Sequence, residues 1–74
     1  MSLWYDERNN LSVSEKIEDA IAHYAKKGIR FTKCYLHKDV NLKVDSHGLI
    51  LKHSQYVLPN HFLFEGQENE AIQS

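Results

Sequence analysis

One amphipathic helix, and only one, can be read from this chain. Ser12-Val13-Ser14-Glu15 matches a capping box, in which the Ser12 hydroxyl accepts from the Glu15 amide and Glu15 reaches back to the Ser12 amide. Apolar residues then recur at Val13, Ile17, Ala20, Ile21, Tyr24 and Ala25, a stripe about 120° wide on one helix face. Glu15, Glu18 and Asp19 come early and Lys26 and Lys27 come last, and both placements suit the helix dipole. Gly28 supplies the left-handed residue that commonly stops a helix. The pattern predicts a helix over 13–27. A single helix covers one face of whatever it packs on, and that limit governs the rest of the reading.

Beyond Gly28 the residue types change to those of strands. Ile29 to Leu36 contains Phe31, Thr32 and Tyr35 without Gly or Pro, and reads as a strand apolar on both sides. Leu42 and Val44 alternate with Asn41, Lys43 and Asp45; Asp45-Ser46-His47-Gly48 is a turn, and Leu49 to Lys52 returns. Residues 40–53 therefore read as a β-hairpin. Tyr56 to Phe64 is the most apolar stretch, broken by Pro59, which has no amide hydrogen and marks a corner between short strands.

Helix, strand, hairpin and strand predict an α+β two-layer domain, with the helix packed on a small, mainly antiparallel sheet of three to five strands. Residues 1–10 read as an N-terminal arm, 11–64 as one domain, and 65–74 as an acidic, flexible tail. One helix leaves the opposite sheet face short of cover, unless Leu3-Trp4-Tyr5 folds back over it. Otherwise a second chain covers it, which predicts a homo-oligomer. A chain of 74 residues buries only about 60–65% of its unfolded surface, so outside support of this kind is expected.

Composition narrows the function classes. Cys34 is the one cysteine, so no disulfide can form within the chain, and a free thiol suits a reducing compartment. No run approaches the roughly 18 apolar residues of a membrane span, and no basic-then-apolar leader opens the sequence. The expectation is a cytoplasmic domain without a membrane partner. The formal charge of −1 conceals a segregation: residues 1–19 and 65–74 are acidic, whereas 20–64 are basic. Acidic and basic parts of one chain can pair across a symmetric interface.

Candidate chemistry is sparse. The histidines at 23, 37, 47, 53 and 61, with Cys34, offer metal ligands. The set singled out is Cys34, His37, His53 and His61, but it lacks the paired spacing of a zinc site, and Cys34 and His37 in one strand would face opposite ways. No metal or other cofactor is expected. His23 follows Asp19 by one helical turn and reads as an ion pair. His47 reads as a turn residue and Cys34 as a small core residue. No paired carboxylates, activated nucleophile or glycine-rich phosphate loop stands out, so no catalytic residue is assigned and the sequence points away from an enzyme.

The favoured expectation is a non-catalytic interaction module or accessory subunit, homo-oligomeric or bound to another protein. Its interface candidates are Tyr56, Val57, Leu58, Phe62 and Phe64. The alternative is a single-stranded nucleic-acid-binding domain using the basic, aromatic-containing segment 26–43, with Arg30, Lys33, Lys38 and Lys43 as contacts. The overall negative charge speaks against it. A second alternative is a His/Cys metal-binding protein.

Overall fold

The computed structural model describes residues 2–41 and 43–66. In chain order these form β1 (Ser2–Tyr5), α1 (Val13–Ala25), β2 (Lys33–His37), β3 (Ile50–Ser54) and β4 (His61–Glu65). The expected acidic tail falls largely on 67–74, outside the described residues. One helix packs on a four-stranded sheet of order β1-β4-β2-β3, an α+β arrangement. Strands β1 and β2 each run antiparallel to β4, whereas β3 runs parallel to β2.

The helix starts where its capping box places it. The Glu15 amide donates to the Ser12 hydroxyl at 3.2 Å, and the Ser12 amide donates to the Glu15 carboxylate at 2.8 Å. It ends two residues earlier than expected, at Ala25. Lys27 and Gly28 donate to Tyr24 and Ala25, a tightened last turn, and Gly28 is left-handed at φ 78°. Ile29 still donates to Tyr24. It therefore belongs to the helix stop, and the strand expected from Ile29 begins only at Lys33.

Ile17 and Ala20 meet the sheet at Cys34, Leu36, Phe62 and Phe64, all buried. Val13, Ile21 and Tyr24 complete the stripe at its edges, while Ala25 is exposed. Residues 2–5 do not fold over the second face. They form edge strand β1, which sets Trp4 opposite Phe62 on the helix side and Leu3 opposite Leu63 on the other.

The hairpin expected over 40–53 does not form. Parallel neighbours cannot be joined by a tight turn, so 38–49 is a crossover between β2 and β3. Val40, Val44 and Leu49 pack on the helix-side core, whereas Leu42, the other apolar residue of the expected alternation, lies outside the described residues. The expected turn falls one residue later, at Ser46–Leu49, and bends this loop: Leu49 donates to the Ser46 carbonyl at 2.9 Å, and Asp45 accepts from the His47 amide at 3.0 Å. At Pro59 the chain does turn. His61 donates to the Leu58 carbonyl at 3.1 Å, and Asn60 at φ 65° takes the left-handed position of a type II turn.

Candidate functional site

Side chains alternate across each strand, so the sheet has two unlike faces. The helix side carries Trp4, Cys34, Leu36, Leu51, Phe62 and Phe64. The other side carries three cross-strand rows. Leu3, Leu63, Tyr35 and Lys52 form the central row. Glu65, Lys33 and Ile50 lie to one end, and Tyr5 beside His61 to the other, with His37 beside Ser54. Because β2 lies between β3 and β4, the 55–60 loop must pass the end of β2 to join them. Val57 of this loop is buried, yet it stands outside the helix-side core.

Among the described residues, the large hydrophobic side chains left exposed are Leu3, Tyr5, Ile50, Tyr56 and Leu58, and all five lie on this open face or on the loop that borders it. Loop and sheet enclose a concavity of about 560 Å³. Leu3, Leu63 and Tyr35 form its floor, Tyr56 and Leu58 its wall, and Glu65 its far end. The polar groups on this face are mostly tied down. Tyr35 donates its hydroxyl to Glu65 at 3.0 Å, and that bond to a carboxylate raises the phenol pKa. Tyr5 donates likewise to Glu7 at 2.9 Å, with the same consequence. The His61 ring packs on Tyr5, centroids 4.7 Å apart, and its Nδ1 donates to the Pro59 carbonyl at 2.9 Å.

The residues singled out in the sequence divide between the two faces. Tyr56, Val57 and Leu58 border the open face, but Phe62 and Phe64 are buried under the helix and are not available as interface. Their neighbours His61, Leu63 and Glu65 face outward instead. Of the four suggested nucleic-acid contacts, Lys33 alone joins the open face. Arg30 lies beside Ile21, Phe31 and Leu49 on the helix side, and Lys38 and Lys43 sit on the crossover loop. Phe31 stacks on Phe64 in the core, 5.3 Å between centroids, so it offers no platform for a base.

The metal candidates are also split by the sheet: Cys34 and His53 lie on the helix side, His37 and His61 on the open side. His53 bonds the Val40 carbonyl through Nε2. Among the described residues no three His, Cys, Asp or Glu side chains are grouped closely enough to hold a metal ion. Burial pushes the Cys34 thiol up to about 12, far from the thiolate that a ligand or nucleophile requires. The expected Asp19–His23 pair does not form: Asp19 accepts from Arg8 at 2.7 Å, and the His23 ring packs on Trp4.

Sequence reasoning missed one constellation. The Ser14 hydroxyl is 3.1 Å from His47 Nε2, and His47 Nδ1 is 3.8 Å from the Asp45 carboxylate. The order resembles a nucleophile, base and orienting acid, but the proton placement is wrong. The same Nε2 lies 3.1 Å from the Ser14 carbonyl, which only accepts, so Nε2 carries its hydrogen toward that oxygen and cannot act as a base. At 3.8 Å the carboxylate makes no hydrogen bond to the ring. The group tethers the crossover loop to the first turn of α1. No spacing rule could have found it, since it depends on where that loop lands.

Among the described residues, no helix is long and apolar enough to cross a membrane. Comparison with protein-family models, with curated proteins and with solved structures found no match to this chain. The open face and its concavity therefore carry the functional reading by themselves.

Proposed function

We infer that this protein is a non-catalytic interaction module that works by docking its open sheet face onto protein, as a subunit of a homo-oligomer. One observation carries this reading: the exposed large hydrophobic side chains of the described residues gather on one face, and the helix covers the other. Scattered apolar residues are ordinary on a protein surface, but a contiguous patch rimmed by polar groups marks a contact site. A buried free thiol at Cys34 suits a reducing compartment, so we place the module in the cytoplasm.

Leu63→Lys tests the reading, because Leu63 sits mid-face and partly exposed, and the change leaves the helix-side core alone. Wild-type protein is expected to associate in light scattering. The variant is expected to keep its circular dichroism spectrum and become monomeric. A variant that associates as well as wild type would remove the face from consideration.

One observation favours a second reading. Lys33, Lys52, Tyr35 and Tyr56 share the open side, a basic and aromatic set different from that expected in 26–43. Against it, Glu65 lies at the same end as Lys33, and Tyr35 already spends its hydroxyl on that carboxylate. Fluorescence anisotropy with labelled oligothymidylate separates the two readings. Binding that weakens steeply with salt would replace the protein-docking reading with this one.

A further inference from the structure

We propose that the concavity on the open face is a binding site for a small organic cation, an ammonium group carried on an apolar body, with the ammonium held at Glu65. The inference goes beyond docking onto protein and does not need it, because the whole site lies within one chain.

Charge selects the cation. Glu65 closes the far end of the concavity and is the one Asp, Glu, Lys or Arg side chain among the described residues that line it. Its Oε1 accepts from the Tyr35 hydroxyl at 3.0 Å, and no described residue donates to Oε2. Lys33 stands opposite Glu65 in the ladder, yet among the described residues no ion pair joins them. Neither Lys33 nor Lys52 lines the concavity. A carboxylate beside apolar walls, with an oxygen to spare and no counterion, favours a cation and rejects an anion. The other polar groups of the lining are committed to their own loop. The Ser54 hydroxyl accepts from the Tyr56 amide at 3.1 Å, and His61 Nδ1 donates to the Pro59 carbonyl at 2.9 Å. An ammonium at the far end can donate to Oε2 and to the Tyr35 phenol oxygen, which has given its own hydrogen to Glu65 and keeps a lone pair.

Shape selects the body. Behind Glu65 the floor is Leu3 and Leu63, and the wall is Tyr56 and Leu58. From Glu65 back to His61 the strand climbs four steps of about 3.3 Å, roughly 13 Å of floor. The volume of about 560 Å³ lies in the range of small-molecule sites. The butyl stem of a lysine would leave most of it empty, so a free molecule with an aryl or alkyl body of about ten carbons fits better than a protein side chain. Val57 is buried and anchors the wall, so the site is formed before its ligand arrives.

A nuclear magnetic resonance titration of the isotope-labelled full chain tests the site. Phenylbutylammonium chloride, phenylbutanol and phenylbutyrate share one apolar body and differ in the charge of the head. The ammonium is expected to bind about tenfold tighter than the alcohol, with the carboxylate weakest, and to shift the amides of Leu3, Tyr35, Tyr56 and Leu63. Glu65→Gln should make ammonium and alcohol bind alike. Tyr56→Ser, at an exposed loop position, should weaken both about fivefold and keep the preference. Thermal melting checks each variant, and the wild-type comparison of the three heads stands by itself if Glu65→Gln melts early. Equal binding of the three heads overturns the cation site. So does a preference that survives Glu65→Gln, or no binding of the ammonium at about 10 mM. A blocked Leu-Lys-Leu peptide that binds tighter than phenylbutylammonium overturns the free small molecule as occupant. Association of the unliganded chain is read separately by sedimentation, so failure of the cation site leaves the docking reading standing.

Discussion

Asp6→Asn is the substitution whose consequence can be worked furthest. The Asp6 side chain is only 3% exposed. It accepts from Arg8 three times: from Nε at 2.9 Å, from Nη2 at 2.6 Å and from the backbone amide at 3.1 Å. These bonds hold the carboxyl at about 2, below its ordinary 3.8. The amide of the variant keeps the shape but loses the charge, and its own NH₂ competes with the Arg8 donors. Bonds of this kind are worth about 1.5–3 kcal/mol singly, but Arg8 is half-exposed and keeps Asp19, which limits the loss. The depressed pKa sets a ceiling of ~2 kcal/mol at neutral pH. For a chain of this length that is roughly 10 °C in Tm.

The pH dependence follows in sign. A lowered native pKa stabilises the fold fully above the unfolded value of 3.8, and the contribution disappears as pH falls toward about 2. Urea unfolding of wild type and Asp6→Asn across this range is the assay. The gap between them should approach, but not exceed, ~2 kcal/mol near neutrality and close in acid. A gap below about 0.5 kcal/mol, or one independent of pH, refutes the reasoning. The variant also reaches the open face. The Asp6 amide donates to the Asn60 carbonyl at 2.9 Å, so loosening it frees the end of β1, with Leu3 and Tyr5.

Ile17→Asp places a charge at a fully buried position against Phe64 and Leu36, and should abolish the cooperative thermal transition; an unchanged melt would contradict the helix orientation. Cys34 should resist Ellman's reagent at pH 8 in native protein and react promptly in guanidinium, because burial raises its pKa to about 12; rapid native reaction would show the core to be open. Gly66→Ala should destabilise by about 2–3 kcal/mol in urea. Its Cβ would fall 1.9 Å from the Thr32 hydroxyl and 2.8 Å from the Thr32 amide, at φ 120°, so a neutral outcome would contradict the packing of β4 on residue 32.

What the sequence disclosed follows from the range of each signal. The helix was legible because its start, stripe and stop lie within neighbouring residues: Ser12 with Glu15, Ile17 with Ala20 and Ile21, then Gly28. That the helix covers only one sheet face followed from counting helices. Strand pairing was not legible, because β1 pairs with β4 from the far end of the chain and β3 joins β2 in parallel. Val44 follows polar neighbours as a strand residue does, since a loop anchored on a core also needs apolar contacts at intervals. The assignment of Phe62 and Phe64 could have been improved from the sequence. His61 and Glu65 share a side with Leu63, so both phenylalanines belong to the opposite, drier side. Lys52 lies outside the basic segment 26–43 in sequence, and only the parallel pairing of β3 with β2 sets it beside Tyr35.

Sedimentation equilibrium of the untagged wild-type chain, from micromolar to near-millimolar concentration, tests the open-face interface most directly. A reversible monomer–dimer equilibrium is expected, with Leu63→Lys monomeric throughout the same range. A wild-type chain that stays monomeric to the highest concentration, while remaining folded, contradicts it.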